Sequence, residues 1–334
     1  MHICSENNFP TAAGLASSAA GYACLVFALG QLLQVTDPKV LSILARQGSG
    51  SACRSVYGGF VQWLAGPTSD TSYAAPVVDE LHWPQMRVVI LVVNDAQKDT
   101  SSTSGMQQSV ETSELLKHRV KSVLPGRVNA ISAAIKQHDF ETFARITMQD
   151  SNQFHAVCQD TWPPIRYMND ISWSIVHLVH RFNGLHGRNR LAYTYDAGPN
   201  ACIYLLEDAL DEFLSIVHQI FPNNADQYQG HVGQSETIKQ EKVVCQGDSC
   251  HKVVEDVIQL SYSDFDKNVN INNGYYRGLA HRKVPVDYVL KRISMQPQPE
   301  VLKGIISTRI GTGPVLAIDE SLLTKDGLPQ TLNK

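Results

Sequence analysis

Apolar residues are densest at Arg87-Val88-Val89-Ile90-Leu91-Val92-Val93, a nearly continuous run that predicts a strand buried on both faces and therefore central in its sheet. Shorter runs predict strands at the start of the chain (Met1–Cys4), over 58–63 (Gly-Gly-Phe-Val-Gln-Trp), over 192–196 and 201–206, and late at Gly304–Arg309. Helical spacing predicts helices over 18–34, from Pro38 to about Gln47, and over 105–122, 126–137, 139–152, 166–184 and 208–220. Pro38 suits a first helical position, and Asp139 suits an N-cap. The polar, Pro-containing stretch Gly66–Asp79 reads as a surface loop. Strands and helices in clumps predict an α+β architecture with layered, largely antiparallel sheet. We place a first lobe at 1–82 and a second at 83–334.

Residues 223–282 break the pattern. They are rich in Gln, Asn, Asp and Ser and read as an insertion, partly disordered. Within it, Asp264-x-Asp266-x-Asn268-x-Asn270 has the rhythm of a calcium loop but carries Val269 where the sharp turn needs glycine, so no calcium site is expected. Cys245 and Cys250-His251 lack a second ligand pair, and no zinc is expected there. No internal repeat is evident.

Composition narrows the picture little further. A chain of 334 residues with 43% hydrophobic and 18% charged residues can bury a large core. A net charge of −4 gives no electrostatic case for nucleic acid. No uninterrupted apolar run is long enough to span a bilayer, and no signal-peptide pattern opens the sequence. The seven scattered cysteines read as reduced thiols, and the expected location is the cytosol.

Two stretches carry candidate chemistry. The first, Asn8–Gly21, includes Pro10, Ala12, Ala13, Gly14, Leu15, Ala16, Ser17 and Ser18: a small-residue loop running into a helix. Such a loop lets backbone N–H groups approach an anion, and the positive end of a helix dipole favours phosphate. Ser17 or Ser18 could cap the helix, and their hydroxyls, Ser18 above all, could face a phosphate-bound Mg²⁺. By itself the stretch serves equally as a close-packed turn. It is neither a Walker A loop, because no Gly-Lys-Ser/Thr follows, nor a dinucleotide fingerprint, because G-x-G-x-x-G is absent. The second stretch is Tyr193-Thr194-Tyr195-Asp196-Ala197-Gly198-Pro199-Asn200-Ala201, which sets a carboxylate on a turn between two strands with little bulk around it. Alone, Asp196 reads more readily as a residue satisfying turn amides.

Together these strings are more specific than their parts. Asn8–Gly21 resembles the phosphate-binding loop of the galactokinase, homoserine kinase, mevalonate kinase and phosphomevalonate kinase (GHMP) superfamily, and its diphosphomevalonate decarboxylase branch in particular. Gly48-Ser49-Gly50-Ser51-Ala52-Cys53-Arg54-Ser55, Ser102-Thr103 before Gly105-Met106, Val110-Glu111-Thr112-Ser113, Asp150-Ser151-Asn152-Gln153-Phe154-His155-Ala156 and the Asp196 turn are similar to the same branch. The resemblance covers nearly the whole chain apart from about 223–282. It implies a GHMP-kinase-like two-lobed fold and ATP-dependent decarboxylation of (R)-5-diphosphomevalonate to isopentenyl diphosphate, ADP, phosphate and CO₂, a step of isoprenoid and sterol biosynthesis. ATP is then the co-substrate with Mg²⁺, and a homodimer is implied.

The resemblance also implies roles. Asp196 orients or deprotonates the 3-hydroxyl. Arg54 holds the substrate carboxylate. Ser49, Gly50, Ser51, Ala52 and Cys53 bind the substrate's anionic groups, and Thr103 with Ser102 adds hydroxyl contacts to the diphosphate. Asp150, Asn152 and His155 support the site, His155 as a hydrogen-bonded structural residue rather than a general base. Relatives carry an N-terminal strand with an Ala-x-x-Lys-Tyr-Trp-Gly-Lys-like motif that is not found here. The expectation is an incomplete N-terminal lobe with exposed sheet edges and apolar surface, and a chain inactive as written. Two other readings stay open: a GHMP-family kinase for mevalonate or phosphomevalonate, and a non-catalytic chain that only dimerises. Arg54 favours the decarboxylase over the kinase.

Overall fold

The computed structural model describes residues 2–7, 9, 11, 14–93, 100–222, 275–279, 282–285, 291–316 and 322. The chain divides into two compact units, Met1–Pro84 with Ile310–Lys334, and Gln85–Arg309. The sequence reading put the break at 82/83 and left residues beyond 309 with the second lobe. The return of the late segment has a backbone cause. The Gly59 N–H donates to the Gly311 carbonyl at 2.9 Å, and a Cβ on Gly58 would lie 2.5 Å from the Thr312 backbone. Only glycine permits that approach.

In the first unit, α1 (Ser17–Leu33) and α2 (Pro38–Gly48) pack with the short α3 (Ala52–Ser55) over a core of Ala19, Ala23, Leu41, Ala45, Ala52 and Val56. Four alanines let the helix backbones come close. Asp37 caps α2, its Oδ1 accepting from the Lys39 N–H at 2.9 Å, with Pro38 at the first helical position. Ser42, fully buried, donates to the Cys53 carbonyl at 3.0 Å and accepts from the Ala74 N–H at 2.9 Å, joining α2 to α3 and to the sheet. That sheet pairs β1 (Phe60–Leu64) antiparallel with β2 (Tyr73–Val78). The strand β2 corrects the expected loop over 66–79. Pro76 argued against a strand, but in a two-stranded ribbon its missing N–H falls on an outer edge, beside an irregularity in register between Phe60 and Val61. His2–Asn7 adopt no regular structure, in place of the expected strand. Tyr22, Leu32, Leu33 and Leu44 are exposed on the helices.

The second unit is built on β3 (Met86–Val92), the run expected to be central. It lies between its antiparallel neighbours in the order β4-β5-β3-β8. Helices α4 (Ser102–Thr112) and α5 (Glu114–His118), a π-helical turn at Arg119–Val123, and α6 (Leu124–Lys136) occupy the stretch read as two helices, 105–122 and 126–137. The break falls at Ser113, whose extended backbone lets its Oγ accept from the Leu116 N–H and donate to Asp160 Oδ2 at 2.7 Å.

Helix α7 (Phe140–Asp160) begins at the expected Asp139 cap, with Oδ1 accepting from Thr142 N–H at 3.0 Å, and runs past the expected end at 152. Helix α8 (Asp170–His186) starts later than expected, capped by Asn169. α7 and α8 both pack on β4 (Leu191–Thr194), which pairs with β5 (Ala201–Leu206). α7 buries Phe140, Phe143, Ala144, Ile146, Met148, Ser151, His155 and Cys158, a helical stripe. Each fully buried Leu, Ile or Phe in this core contributes roughly 1.5–3 kcal/mol.

After α9 (Glu207–Ile220), β6 (Tyr275–Leu279) pairs with β7 (Arg282–Pro285), at the end of the stretch read as an insertion. β8 (Gly304–Arg309) completes the sheet. Cys245, Cys250, His251 and Asp264–Asn270 lie outside the described residues. Among the described residues Cys4, Cys24, Cys53, Cys158 and Cys202 are free, and no helix is long and apolar enough to cross a membrane.

Candidate functional site

The candidate residues fall in two sets, one in each unit. In the first unit, Gly14 (φ 76°) and Ala16 (φ 59°) both take left-handed backbone conformations just before α1. Such values are costly for alanine and mark a specified turn. The N-cap is Ala16, and Ser17 is already the first helical residue, so neither Ser17 nor Ser18 caps the helix. A methyl group accepts nothing, and no acidic residue sits in the first turn, so this helix start suits an anion. Pro10, Ala12 and Ala13 lie outside the described residues.

Ser18 reaches the second anion-binding candidate directly: its Oγ lies 3.1 Å from Ser49 Oγ. Ser49 and Gly50 lead from α2 into α3 through a tight turn in which Ala52 N–H donates to the Ser49 carbonyl at 2.9 Å. Gly50 sits against Trp63, whose Cη2 would be 2.9 Å from an added Cβ. Ser51 precedes α3, Ala52 and Cys53 are buried beneath it, and Arg54 projects outward from its last turn. Among the described residues no hydrogen bond or ion pair engages the Arg54 side chain. Burial pushes the Cys53 thiol up, against the pull of Arg54 and Arg46, so it stays a thiol.

In the second unit, Asp196 is exposed between β4 and β5, and its carbonyl accepts from Gly198 N–H at 2.8 Å. Among the described residues no hydrogen bond or ion pair engages its carboxylate. The turn around it is held on several sides by side chains. Ser151 Oγ accepts the Tyr195 N–H at 3.1 Å. Tyr195 donates its hydroxyl to the Ser172 carbonyl at 2.8 Å, and Ser172 donates its own to the Pro199 carbonyl at 2.8 Å. Asn200 Oδ1 accepts from Val93 N–H at 2.7 Å, tying the turn to the end of β3. Tyr193 donates to Asn152 Oδ1 at 2.9 Å.

Ser102 and Thr103 open α4, whose N-cap is Ser101, with Oγ accepting from Ser104 N–H at 3.1 Å. Tyr167 lies against this helix start. Its hydroxyl points at the Ser101 carbonyl from 3.4 Å and rests where a side chain on Gly105 would begin, 2.6 Å from the ideal Cβ. Burial first, then the charges of Cys158 and Asp196, push the Tyr167 phenol up to about 12. Burial and then Asp196 push Cys158 up to about 11. Both keep their protons, so Asp196 carries the negative charge of this corner. Sequence reasoning missed Tyr167; its signal, an aromatic after two prolines, is common in loops.

Asp150 supports α7 from the other side. Arg119 grips its two oxygens at 2.7 and 2.8 Å and Arg127 adds a third bond at 3.0 Å. Burial alone would raise this carboxyl, but the Arg119 and Arg127 contacts outweigh it and hold the carboxyl below its usual range. The π-helical turn aims Arg119 inward, a use such turns often have. Among the described residues no cluster of three His, Cys, Asp or Glu could hold a metal.

Comparison with known proteins follows the same division. Residues 1–74 match the diphosphomevalonate decarboxylase-like N-terminal domain, and 88–264 match the mevalonate 5-diphosphate decarboxylase C-terminal domain. Diphosphomevalonate decarboxylase of Danio rerio is 47% identical over 334 residues, which is 99% of this chain and 72% of that protein. The structure of mevalonate diphosphate decarboxylase from Trypanosoma brucei superposes with a TM-score of 0.74 at 36% identity, covering 96% of this chain and 74% of that one. A structure of MDDEF in complex with MVAPP, AMPPCP and magnesium superposes with a TM-score of 0.58 at 35% identity, covering 63% and 64%.

Proposed function

The chain belongs to the diphosphomevalonate decarboxylase family, and from that premise we propose how its residues divide the work between phosphate transfer and loss of CO₂. It is a carboxy-lyase of the mevalonate pathway. ATP phosphorylates the tertiary 3-hydroxyl of (R)-5-diphosphomevalonate. The new phosphate then leaves with its bonding electrons as the bond to the carboxylate breaks, giving isopentenyl diphosphate, ADP, phosphate and CO₂ for isoprenoid and sterol synthesis.

Asp196 accepts the hydrogen bond of the 3-hydroxyl and takes its proton as the phosphoryl group arrives. An exposed carboxylate on a braced turn, with the neighbouring thiol and phenol held neutral, supports that role. Arg54 holds the substrate carboxylate with its planar fork, which no hydrogen bond or ion pair among the described residues occupies. Ser49, Ser51 and the amides of Gly50 to Cys53 bind the substrate's anionic groups, and Ser102 with Thr103 at the start of α4 binds the diphosphate. The loop from Pro10 to Ser18 receives the ATP phosphates. The left-handed turn at Gly14 and Ala16 and the first turn of α1, free of acidic side chains, fit a polyphosphate.

Mg²⁺ would be held here through the phosphate oxygens of the bound substrates, with the Ser18 hydroxyl beside them. When bound it neutralises charge on the transferring phosphoryl group. MDDEF, a structural relative, has been seen with AMPPCP, an ATP analogue, and magnesium. The working form is a homodimer in the cytosol.

The Asp196 turn carries this reading. The test is Asp196→Asn with ADP and CO₂ measured together. The parent should release the two in equal amounts and the variant should fall by about a thousandfold. An undiminished variant, or a stable phosphorylated product without CO₂, would defeat it.

A further inference from the structure

Two glycines flank Ser49, and their backbone conformation does not explain them. Gly48 ends α2 and Gly50 lies in the turn to α3, yet neither takes a left-handed conformation. What each position lacks is room. An ideal Cβ on Gly48 would lie 2.1 Å from Cδ1 and 2.4 Å from Cε1 of Tyr22. One on Gly50 would lie 2.9 Å from Cη2 and 3.2 Å from Cζ3 of Trp63. Two aromatic rings thus occupy the places of the missing side chains, one before Ser49 and one after it.

Both rings are held in direction. Tyr22 follows Ser18 by one turn of α1, so the helix face that sets Ser18 Oγ 3.1 Å from Ser49 Oγ also brings the phenol ring to Gly48. Trp63 stands on β1 and donates its indole N–H to Ser72 Oγ at 2.9 Å, with the far edge of the ring at Gly50. Ser72 follows the 3₁₀ turn Ser69–Thr71. Arg46, in the last turn of α2, reaches the same turn and donates to Ser69 Oγ at 2.6 Å and to its carbonyl at 3.2 Å. The Ser49 turn is therefore bounded by a ring from α1, a ring from β1 and a pinned end of α2. Core packing does not account for the rings, because Tyr22 is 43% and Trp63 40% exposed.

We propose that Tyr22 and Trp63 are positioning residues for substrate binding: seated against Gly48 and Gly50, the two rings fix the backbone on both sides of Ser49. They so hold the Ser49 hydroxyl and the amides from Gly50 to Cys53 in the arrangement that receives the anionic groups of diphosphomevalonate. The glycines give the turn conformational freedom, and the rings take it away. An anion that meets several donors already in place loses less to ordering them on binding. The inference rests on the role proposed above for the Ser49 turn.

The test reads KM against kcat. Trp63→Phe withdraws the far edge of the ring and the indole N–H, and Tyr22→Leu removes the phenol ring. Each should raise KM for diphosphomevalonate about three- to tenfold, the scale of one misaligned hydrogen bond. Turnover and KM for ATP should stay within about twofold of the parent, as for contacts made equally in the ground and transition states. Tyr22→Phe keeps the ring carbons that meet Gly48 and should recover the parent's KM, a comparison that stands even if Trp63→Phe fails to fold. Gly50→Ala puts a carbon where Trp63 lies and should raise KM by a similar factor. Combined with Trp63→Phe, the rise should fall short of the product of the two, because both act on one contact. A parent-like KM in Trp63→Phe or Tyr22→Leu, a loss of kcat at unchanged KM, or a double variant at the full product would each overturn the proposal. An unchanged KM in a variant carrying both Ser49→Ala and Ser51→Ala, or no turnover by the parent, would instead defeat the reading on which it rests.

Discussion

The two sets of candidate residues, one in each unit, are built by opposite means. In the first unit the work is done by what is absent. Alanines at 19, 23, 45 and 52 bring helices together, Gly14 and Ala16 bend the chain, and Gly50 and Gly58 admit Trp63 and the Thr312 backbone. In the second unit the work is done by side-chain polar atoms. Ser151, Ser172 and Asn200 hold the turn around Asp196. An anion site needs open amides and room, so small residues serve it. A single carboxylate needs direction, so its neighbours must be clamped. The first half should therefore fail when atoms are added, and the second when they are removed.

The sharpest break in this comparison is chemical. Asp196→Asn should lose about a thousandfold in turnover, roughly 4 kcal/mol of barrier, while its thermal midpoint stays within a degree or two, because among the described residues no partner of the carboxylate loses a bond. Calorimetry beside a rate assay separates the two.

Next in size is an acid-side loss of stability that belongs to the second unit. His155 titrates near 4 folded and near 6.5 unfolded. Below pH 6.5 the unfolded chain binds the proton that the folded chain refuses, so stability present above 6.5 is lost as pH falls towards 4. The slope is up to ~1.4 kcal/mol per pH unit and the total about 3 kcal/mol. Urea titrations of the parent and His155→Phe across pH 4–7 should show the variant's curve flatter by that amount. Parallel curves would count against a buried neutral ring.

Two smaller tests complete the contrast. Gly58→Ala adds one carbon 2.5 Å from the Thr312 backbone, which cannot swing aside. It should destabilise the first unit by about 1–3 kcal/mol, seen as a lower urea midpoint. Ser151→Ala removes one oxygen and strands the Tyr195 N–H. It should cost about 1–2 kcal/mol, and amide exchange at Tyr195 should speed up more than at its neighbours. If added atoms prove harmless in the first unit and removed ones harmless in the second, the distinction drawn here is empty.

Much of this was legible before the structure. The unbroken apolar run of β3, the Asp139 cap, Pro38, and the Asp196 turn between two short strands each declare themselves locally, because one residue type or spacing does one physical job. Where reading failed, the cause was tertiary. Pro76 hid β2, since its tolerance depends on an outer edge that no local pattern reveals. Asp150-Ser151-Asn152 looked like a polar helix end, yet these residues bond to Arg119, Tyr195 and Tyr193, and the helix runs on to Asp160. Ser18 meets Ser49 across 31 positions, and Tyr167 finds Gly105 across more than a helix. Ser17 and Ser18 were natural cap candidates, but the left-handed Ala16 sets the helix start one residue too early for Ser17 and two for Ser18.

The register of β3 with β8 places Arg87 directly opposite Arg309. The second unit begins at Gln85 and ends at Arg309, so its two chain ends emerge side by side from neighbouring strands. A module with adjoining termini can be excised and its sheet left whole. Residues 85–309 should therefore be expressible by themselves, and the Asp196 turn could be studied by spectroscopy in a polypeptide about two-thirds the size of the parent.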